Sequence, residues 1–145
     1  MPYHAIGAAI TKEMITNFKK SFEINSSIGN LEQEGSLLIN QGVFYYNRND
    51  YENAIRNWQN ASRIFSSIGV KSKLGSVVGN LGEGHLVICD FQNSYENLNK
   101  SVQFLADIKN SEEELYFTFI LGKFWFTIGD IEELNKIINI YELSS

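Results

Sequence analysis

The amino-acid sequence predicts an all-α protein built as an array of antiparallel helix pairs. Three observations support this class: short motifs recur every 40 residues, apolar residues follow helical spacing, and the alternating pattern of a strand is missing. The series that keep this spacing are Gly42, Gly82 and Gly122; Asp50, Asp90 and Asp130; and SSIGN at 26–30 with SSIGV at 66–70. So many series in phase indicate an internal repeat within one domain over residues 1–145.

The first element is a half-repeat, a single helix that we predict over residues 11–28. Met14 and Phe18 lie 40 residues before Ala54 and Trp58 in the first full unit. The half-repeat therefore corresponds to the second helix of a pair. Either the chain has been cut from a longer array, or it starts with an unpaired helix.

Three full units follow, each predicted to hold two helices separated by a polar break. Their boundaries are 31–69, 71–109 and 111–143. In the first unit, NRND ends the first helix, Asp50 caps the second, and Gly69 closes it. In the third unit, Ser111 with Glu114 and Asp130 with Glu133 predict capping boxes.

Each unit carries a glycine inside its first predicted helix, where glycine costs about 1 kcal/mol relative to alanine. We interpret these glycines as notches that let the second helix of the pair approach closely. The residues expected opposite Gly42, Gly82 and Gly122 are Trp58, Leu98 and Ile138.

The composition of the chain argues against several classes of function. The 145 residues have a formal net charge of -5 and only scattered basic residues, which argues against nucleic-acid binding. The single cysteine cannot form an internal disulfide. The N-terminus lacks the pattern of a signal peptide, and the most apolar stretch, 115–128, is too short to span a bilayer. We therefore expect a cytoplasmic protein without membrane contact.

The repeat resembles the tetratricopeptide repeat, whose pattern is W-x2-L-G-x2-Y, then A-x3-F, then P. The matching residues are Gly42, Tyr45, Ala54, Trp58 and Ala61; Leu81 and Gly82; and Leu121, Gly122 and Trp125. The closing proline is missing, and Leu134 and Tyr141 stand where small residues are expected. The 40-residue period and GNLG at Gly79–Gly82 look like the longer-helix subclass known from Pins-type scaffolds. The resemblance implies a right-handed superhelical α-solenoid whose concave wall is formed by the first helices.

Residues facing that concave groove follow from the resemblance position by position. The implied peptide groove contains Ile39, Asn40, Val43, Tyr46 and Asn47; Asn80, Glu83 and Leu86; and Tyr116, Phe119, Lys123 and Phe126. Asn40 and Asn80 occupy equal positions and predict a ladder that holds an extended peptide backbone, since an amide both donates and accepts. The alternative is that both asparagines merely face water. Ile120 interrupts the ladder in the third unit.

The two ends of the array suggest a second kind of contact. The half-repeat has no first helix to cover it, and the last helix has more apolar residues than one buried face needs. The predicted self-association residues are Met14, Phe18, Phe22, Ile137, Ile140 and Tyr141. They predict a possible homodimer.

No catalytic set, phosphate loop or cofactor motif is evident, so we expect no enzymatic activity and no cofactor. His85 and Cys89 lie four residues apart and could share a metal, but packing of His85 and burial of Cys89 is the favoured interpretation. The leading hypothesis is a scaffold that binds a peptide or partner helix in its groove. The alternatives are a self-associating structural module and the sensor portion of a bacterial regulator.

Overall fold

The computed structural model describes residues 11–28 and 30–144, apart from the side chains of Phe22 and of residues 24–28. This part of the chain holds seven α-helices and no strand. They are α1 (Lys12–Ile28), α2 (Leu31–Asn47), α3 (Tyr51–Ile68), α4 (Lys71–Val87), α5 (Phe91–Asp107), α6 (Ser111–Ile128) and α7 (Ile131–Ser144). Each helix packs on the next one along the chain. The predicted all-α solenoid is confirmed.

The turns between the helices share one backbone conformation. From α2 onwards, every turn has a residue with φ between 59° and 83°, in the left-handed region. These residues, 20 positions apart, are Asn49, Gly69, Cys89, Lys109 and Gly129. In the turn after α2, the backbone N–H of Asp50 donates to the carbonyl of Tyr45 at 2.9 Å, which closes the helix end. Similar turns at equal spacing explain why the helix pairs stack in a regular array.

Acidic and amide side chains start most of the helices. Asp50 accepts a hydrogen bond from the backbone N–H of Asn53 at 3.2 Å, and Asp130 accepts one from that of Glu133 at 3.1 Å. The capping box predicted for Ser111 with Glu114 is wrong by one residue. Asn110 is the N-cap of α6, where it accepts from the backbone N–H of Glu113 at 3.3 Å.

The glycine notches bring the helices of each pair together. A Cβ on Gly42 would lie 2.2 Å from Nε1 of Trp58, and a Cβ on Gly82 would lie 2.6 Å from Cγ of Leu98. Trp58 is fully buried and donates from Nε1 to the carbonyl of Ile39 at 3.2 Å. The two pairs therefore pack as the sequence predicts, and each contributes to one of the two apolar core clusters.

The third pair departs from this arrangement. Ile137, not Ile138, faces the notch at Gly122, where its Cγ2 would lie 3.1 Å from an added Cβ. The prediction for Ile138 was wrong because Leu134 and Tyr141 replace the small residues that allow close approach in the other pairs. These bulky side chains rotate α7 about its axis relative to α6.

A hydrogen bond that occurs at equivalent positions of two units shows that α7 lies further from α6 than α5 lies from α4. In the second unit, the hydroxyl of Ser101 donates to the carbonyl of Gly75 at 2.7 Å. Forty residues later, the hydroxyl of Tyr141 donates to the carbonyl of Leu115 at 2.6 Å. The long side chain of a tyrosine makes the contact in the third unit that the short side chain of a serine makes in the second unit, so the two helices of the third pair are further apart at this point. As a result α7 stands off from α6, and no residue of α7 is buried.

Candidate functional site

The first helices of neighbouring units form a continuous inner wall. α4 and α6 touch directly, although they belong to different units. They meet at Gly79, where an added Cβ would lie 2.4 Å from the ring of Phe117, which is fully buried. The first glycine of GNLG therefore has a structural role that the sequence does not reveal, since Phe117 lies in the next unit.

Three of the predicted groove residues meet in the middle of this wall. The hydroxyl of Tyr116 on α6 donates to Oε1 of Glu83 on α4 at 2.7 Å. Burial raises the pKa of Tyr46 on α2, and the nearby charge of Glu83 raises it further. Burial also raises the pKa of the Glu83 carboxyl, against the opposing effect of the Tyr116 hydrogen bond. Helices α2, α4 and α6 thus converge on one buried carboxylate between two tyrosines.

Asn80 lies one turn before Glu83 on α4 and is the most unusual residue of the wall. Its side chain is 0% exposed, yet neither amide atom has a hydrogen-bond partner within the described part of the chain. Leaving a buried polar group without a partner costs about 1–3 kcal/mol. Such a group calls for an explanation, and binding of a further molecule is one.

The predicted asparagine ladder is only partly reflected in these surroundings. Asn40, at the equivalent position of α2, is half-buried, while Ile120 at the equivalent position of α6 is buried in the core. The three residues therefore share a register but not an environment, and Asn80 alone combines complete burial with an unpaired amide.

A second polar contact crosses between α4 and α6 and was missed by the sequence analysis. The hydroxyl of Ser76 donates to Oε2 of Glu113, and both residues are buried. Burial raises the pKa of Glu113, while the Ser76 hydrogen bond opposes this shift. Glu113 belongs to the acidic first turn of α6, where nothing in the sequence distinguishes it from its exposed neighbour Glu112.

Two groove assignments need correction. Ile39 and Val43 are buried in the same core cluster as Val77, Val78 and Leu81 of α4. They fill the space between two units, because the apolar residues of α2 pack towards the following pair. Their apolar side chains are satisfied by this packing, whereas Asn47 is exposed at the end of α2.

The remaining groove residues lie in an apolar groove of about 740 Å³ between α4, α6 and α7. Four predicted residues line it: Leu86, Phe119, Lys123 and Phe126. The others are Val87, Gly122, Thr127, Leu134, Ile137, Ile138, Tyr141 and Glu142. Phe126 is 71% exposed, and Nζ of Lys123 lies 5.6 Å from the ring centroid of Phe119. This C-terminal groove is a large apolar surface with one cation on its wall.

The predicted self-association residues do not form one surface. Met14 and Ile140 are exposed, while Phe18 is half-buried. Ile137 and Tyr141 are half-buried because they face α6, so they are contacts within the chain. The side chain of Phe22 lies outside the described residues.

His85 and Cys89 lie in different environments. His85 is buried, its Nδ1 is 3.4 Å from Oδ2 of Asp90, and burial lowers its pKa. The predicted burial of Cys89 is wrong: its side chain is exposed because the residue occupies the left-handed turn after α4. The described residues contain no cluster of three or more potential metal ligands. Over the same residues, no helix combines the length and apolar character that a membrane span requires.

Comparison with solved structures supports the fold. No protein-family model and no curated protein matches the sequence. The crystal structure of BtubC (BKLC) from P. vanneervenii is similar with a TM-score of 0.79 and 13% identity, over 89% of this chain and 54% of that chain. A Signal Transduction ATPase with Numerous Domains (STAND) protein with a tetratricopeptide repeat sensor, from Pyrococcus horikoshii, is similar with a TM-score of 0.80 and 21% identity. That likeness covers 90% of this chain and 21% of the STAND protein.

The chain thus spans about half of the first protein and about a fifth of the second. At these identities the likeness concerns the fold alone. The chain has the fold of a tetratricopeptide-like helical repeat.

Proposed function

We propose that this chain is a non-enzymatic interaction module that binds an extended peptide segment of a partner protein along its inner wall. The observation that carries the proposal is the buried amide of Asn80, which has no partner among the described residues. A side-chain amide offers one donor group and one acceptor group, as a peptide bond does, so it can pair with a backbone of any sequence.

The surroundings of Asn80 support this mode of binding. Glu83 and Tyr116 form a polar pair one turn further along α4, and the C-terminal groove continues past Leu86 with Phe119 and Phe126. A peptide held at Asn80 would extend along the inner wall past this polar pair. Because Asn80 is fully buried, the wall around it must open before a peptide can bind, and we expect association slower than at a rigid, open site.

The experiment is a selection from a displayed library of random peptides, followed by titration calorimetry with the best synthetic peptide. Asn80→Ala should weaken binding about tenfold or more, since two hydrogen bonds are lost. Asn40→Ala should have a smaller effect, because its half-buried amide already reaches water. Asn60→Ala is the control, an exposed asparagine on α3. Unchanged affinity of Asn80→Ala, or failure to select any peptide, would refute the proposal.

A sensor role is a second candidate, supported by the similarity to a STAND protein that carries a tetratricopeptide repeat sensor. In that case the inner wall would take a small peptide or metabolite and relay its binding to a further domain. The 40-residue period and GNLG also support a relationship to the longer-helix subclass of Pins-type scaffolds. A small molecule that raises the melting temperature of wild type but not of Asn80→Ala would favour the sensor role over the scaffold.

A further inference from the structure

The exposed apolar side chains are unevenly distributed along the described residues. Of twelve exposed large hydrophobic residues, nine lie from Val87 onwards. Several of them surround the C-terminal groove, including Val87, Phe119, Phe126 and Ile138. A contiguous apolar surface of this kind marks an interaction site.

The array itself indicates which shape fits the C-terminal groove. Within the chain, α4 packs on α3 and shares a core cluster with α2, and α6 packs on both helices of the pair α4–α5. Each pair is therefore closed by one further helix. The pair α6–α7 presents an equivalent groove, which the Tyr141 phenol widens by holding α7 away from α6. An amphipathic helix is the element that matches it.

Helix α7 has the properties of such an occupant. Ile131, Leu134 and Ile138 follow at intervals of three and four residues, so they form one stripe along the helix. Ile131 and Ile138 are 59% and 45% exposed. The same chain thus carries an open groove and, beside it, an open apolar helix face.

We propose that the C-terminal groove binds α7 of a second copy of this chain in a two-fold symmetric dimer. A groove and a helix face that adjoin on one surface are self-complementary, which a two-fold axis requires. Each copy would cover the Ile131–Ile138 stripe of the other, and Phe126 would pack against the incoming helix. No foreign partner is needed to bury either surface.

Charge favours an antiparallel arrangement of the two α7 helices. A parallel pair would place the acidic first turns, with Glu132 and Glu133 in both copies, side by side. An antiparallel pair separates them and also pairs opposite helix dipoles. It brings Glu142 of one copy to the Phe126 end of the other groove, one turn from Lys123. Both charged residues line the groove, so they form complementary contacts at its rim.

The first test is sedimentation velocity over a wide concentration series with a matched pair of variants. Ile138 and Ile140 are isoleucines of the same helix with 45% and 44% exposure, but they point about 200° apart around it. Only Ile138 lines the groove. Ile138→Glu should raise the dimer Kd about 30-fold or more, because the change occurs twice in a symmetric interface. Ile140→Glu should leave the Kd within about threefold of wild type.

A charge exchange between copies provides a second, independent test. Lys123→Glu alone and Glu142→Lys alone each create two like-charge contacts in the dimer and should weaken it about tenfold. An equimolar mixture of the two variants should recover dimers, because both contacts of the mixed dimer are again of opposite charge. An effect confined to one chain cannot produce recovery on mixing.

The dimer proposal does not depend on peptide binding at Asn80, so these experiments test it separately. Dimers that Ile138→Glu dissociates and the charge mixture restores would establish it. Wild type that stays monomeric at every concentration would overturn it, as would equal effects of Ile138→Glu and Ile140→Glu. In the second case the dimer would use another face of α7. Circular dichroism of each variant verifies that the helices are retained.

Discussion

Replacing Asn80 with leucine tests whether its amide is retained at the expense of stability. Leucine has the same number of side-chain heavy atoms and branches at the same carbon. Ile120 shows that an apolar residue is accommodated at the equivalent position of α6, where it is 1% exposed. Removing a buried amide that lacks partners relieves about 1–3 kcal/mol, and leucine has a slightly higher helix propensity. Some of this gain is lost because methyl groups are larger than the amide atoms.

We therefore expect Asn80→Leu to raise the free energy of unfolding by about 1–2 kcal/mol, which corresponds to roughly 3–7 °C in melting temperature for a chain of this size. Urea denaturation followed by circular dichroism measures it. Asn40→Leu is the control at the equivalent position of α2, where the half-buried amide predicts a change within about 0.5 kcal/mol. The same Asn80→Leu protein should no longer bind the selected peptide.

A stabilised protein that has lost binding would identify Asn80 as a residue kept for function. If Asn80→Leu instead lowers the free energy of unfolding by about 1 kcal/mol or more, the amide contributes hydrogen bonds to the folded state. The argument from an unpaired amide would then be wrong.

Three further predictions concern the packing, the turns and the buried acids. Gly42→Ala should lower the free energy of unfolding by about 2 kcal/mol, because the added Cβ clashes with buried Trp58. Gly122→Ala should be neutral or stabilising, because the third notch is looser. Urea titration measures both variants, and equal losses of stability would contradict the notch argument. Cys89→Gly should raise the melting temperature by about 2–4 °C, because φ at this residue is 62°, a conformation that glycine adopts without steric cost, and the exposed side chain makes no core contact. No rise in a thermal scan would show that the turn is unstrained. Burial raises the pKa of Glu113, so its carboxyl binds a proton more tightly in the folded state than in the unfolded state. Wild type should therefore gain stability from this group as the pH falls from 7 towards the ordinary pKa of 4.5. Glu113→Gln should lack this part of the gain when urea midpoints are compared at both ends of that range, and identical pH profiles would exclude a buried, titrating carboxyl.

Much of the fold follows from local sequence patterns. The 40-residue spacing, the Asp50 cap and the pairing of Gly42 with Trp58 are visible in the chain and are present in the structure. These features depend on helix periodicity, capping and side-chain size, which act over one turn or within one helix pair. The assignment of Tyr46, Glu83 and Tyr116 to the inner wall rests instead on the resemblance to the tetratricopeptide repeat, which supplies their positions relative to each glycine.

Other features arise only when the units are stacked. Ile39 and Val43 are core residues rather than groove residues because α2 packs on the next unit, and Glu113 is buried because Ser76 of the preceding unit lies opposite it. Sequence spacing describes which side of a helix a residue occupies, but not how closely a neighbouring helix covers that side.

The sequence by itself thus determined the number and order of the helices and the caps at Asp50 and Asp130, since these depend on interactions between residues close in the chain. The tertiary structure decided the rotation of α7, the full burial of Asn80 and the shape of the C-terminal groove. These depend on the distance between helices, which is set by the volumes of side chains from several elements at once. Leu134 and Tyr141 are the clearest example: the sequence shows that they are too large for a close pair, and only the packed structure shows that α7 responds by standing off from α6.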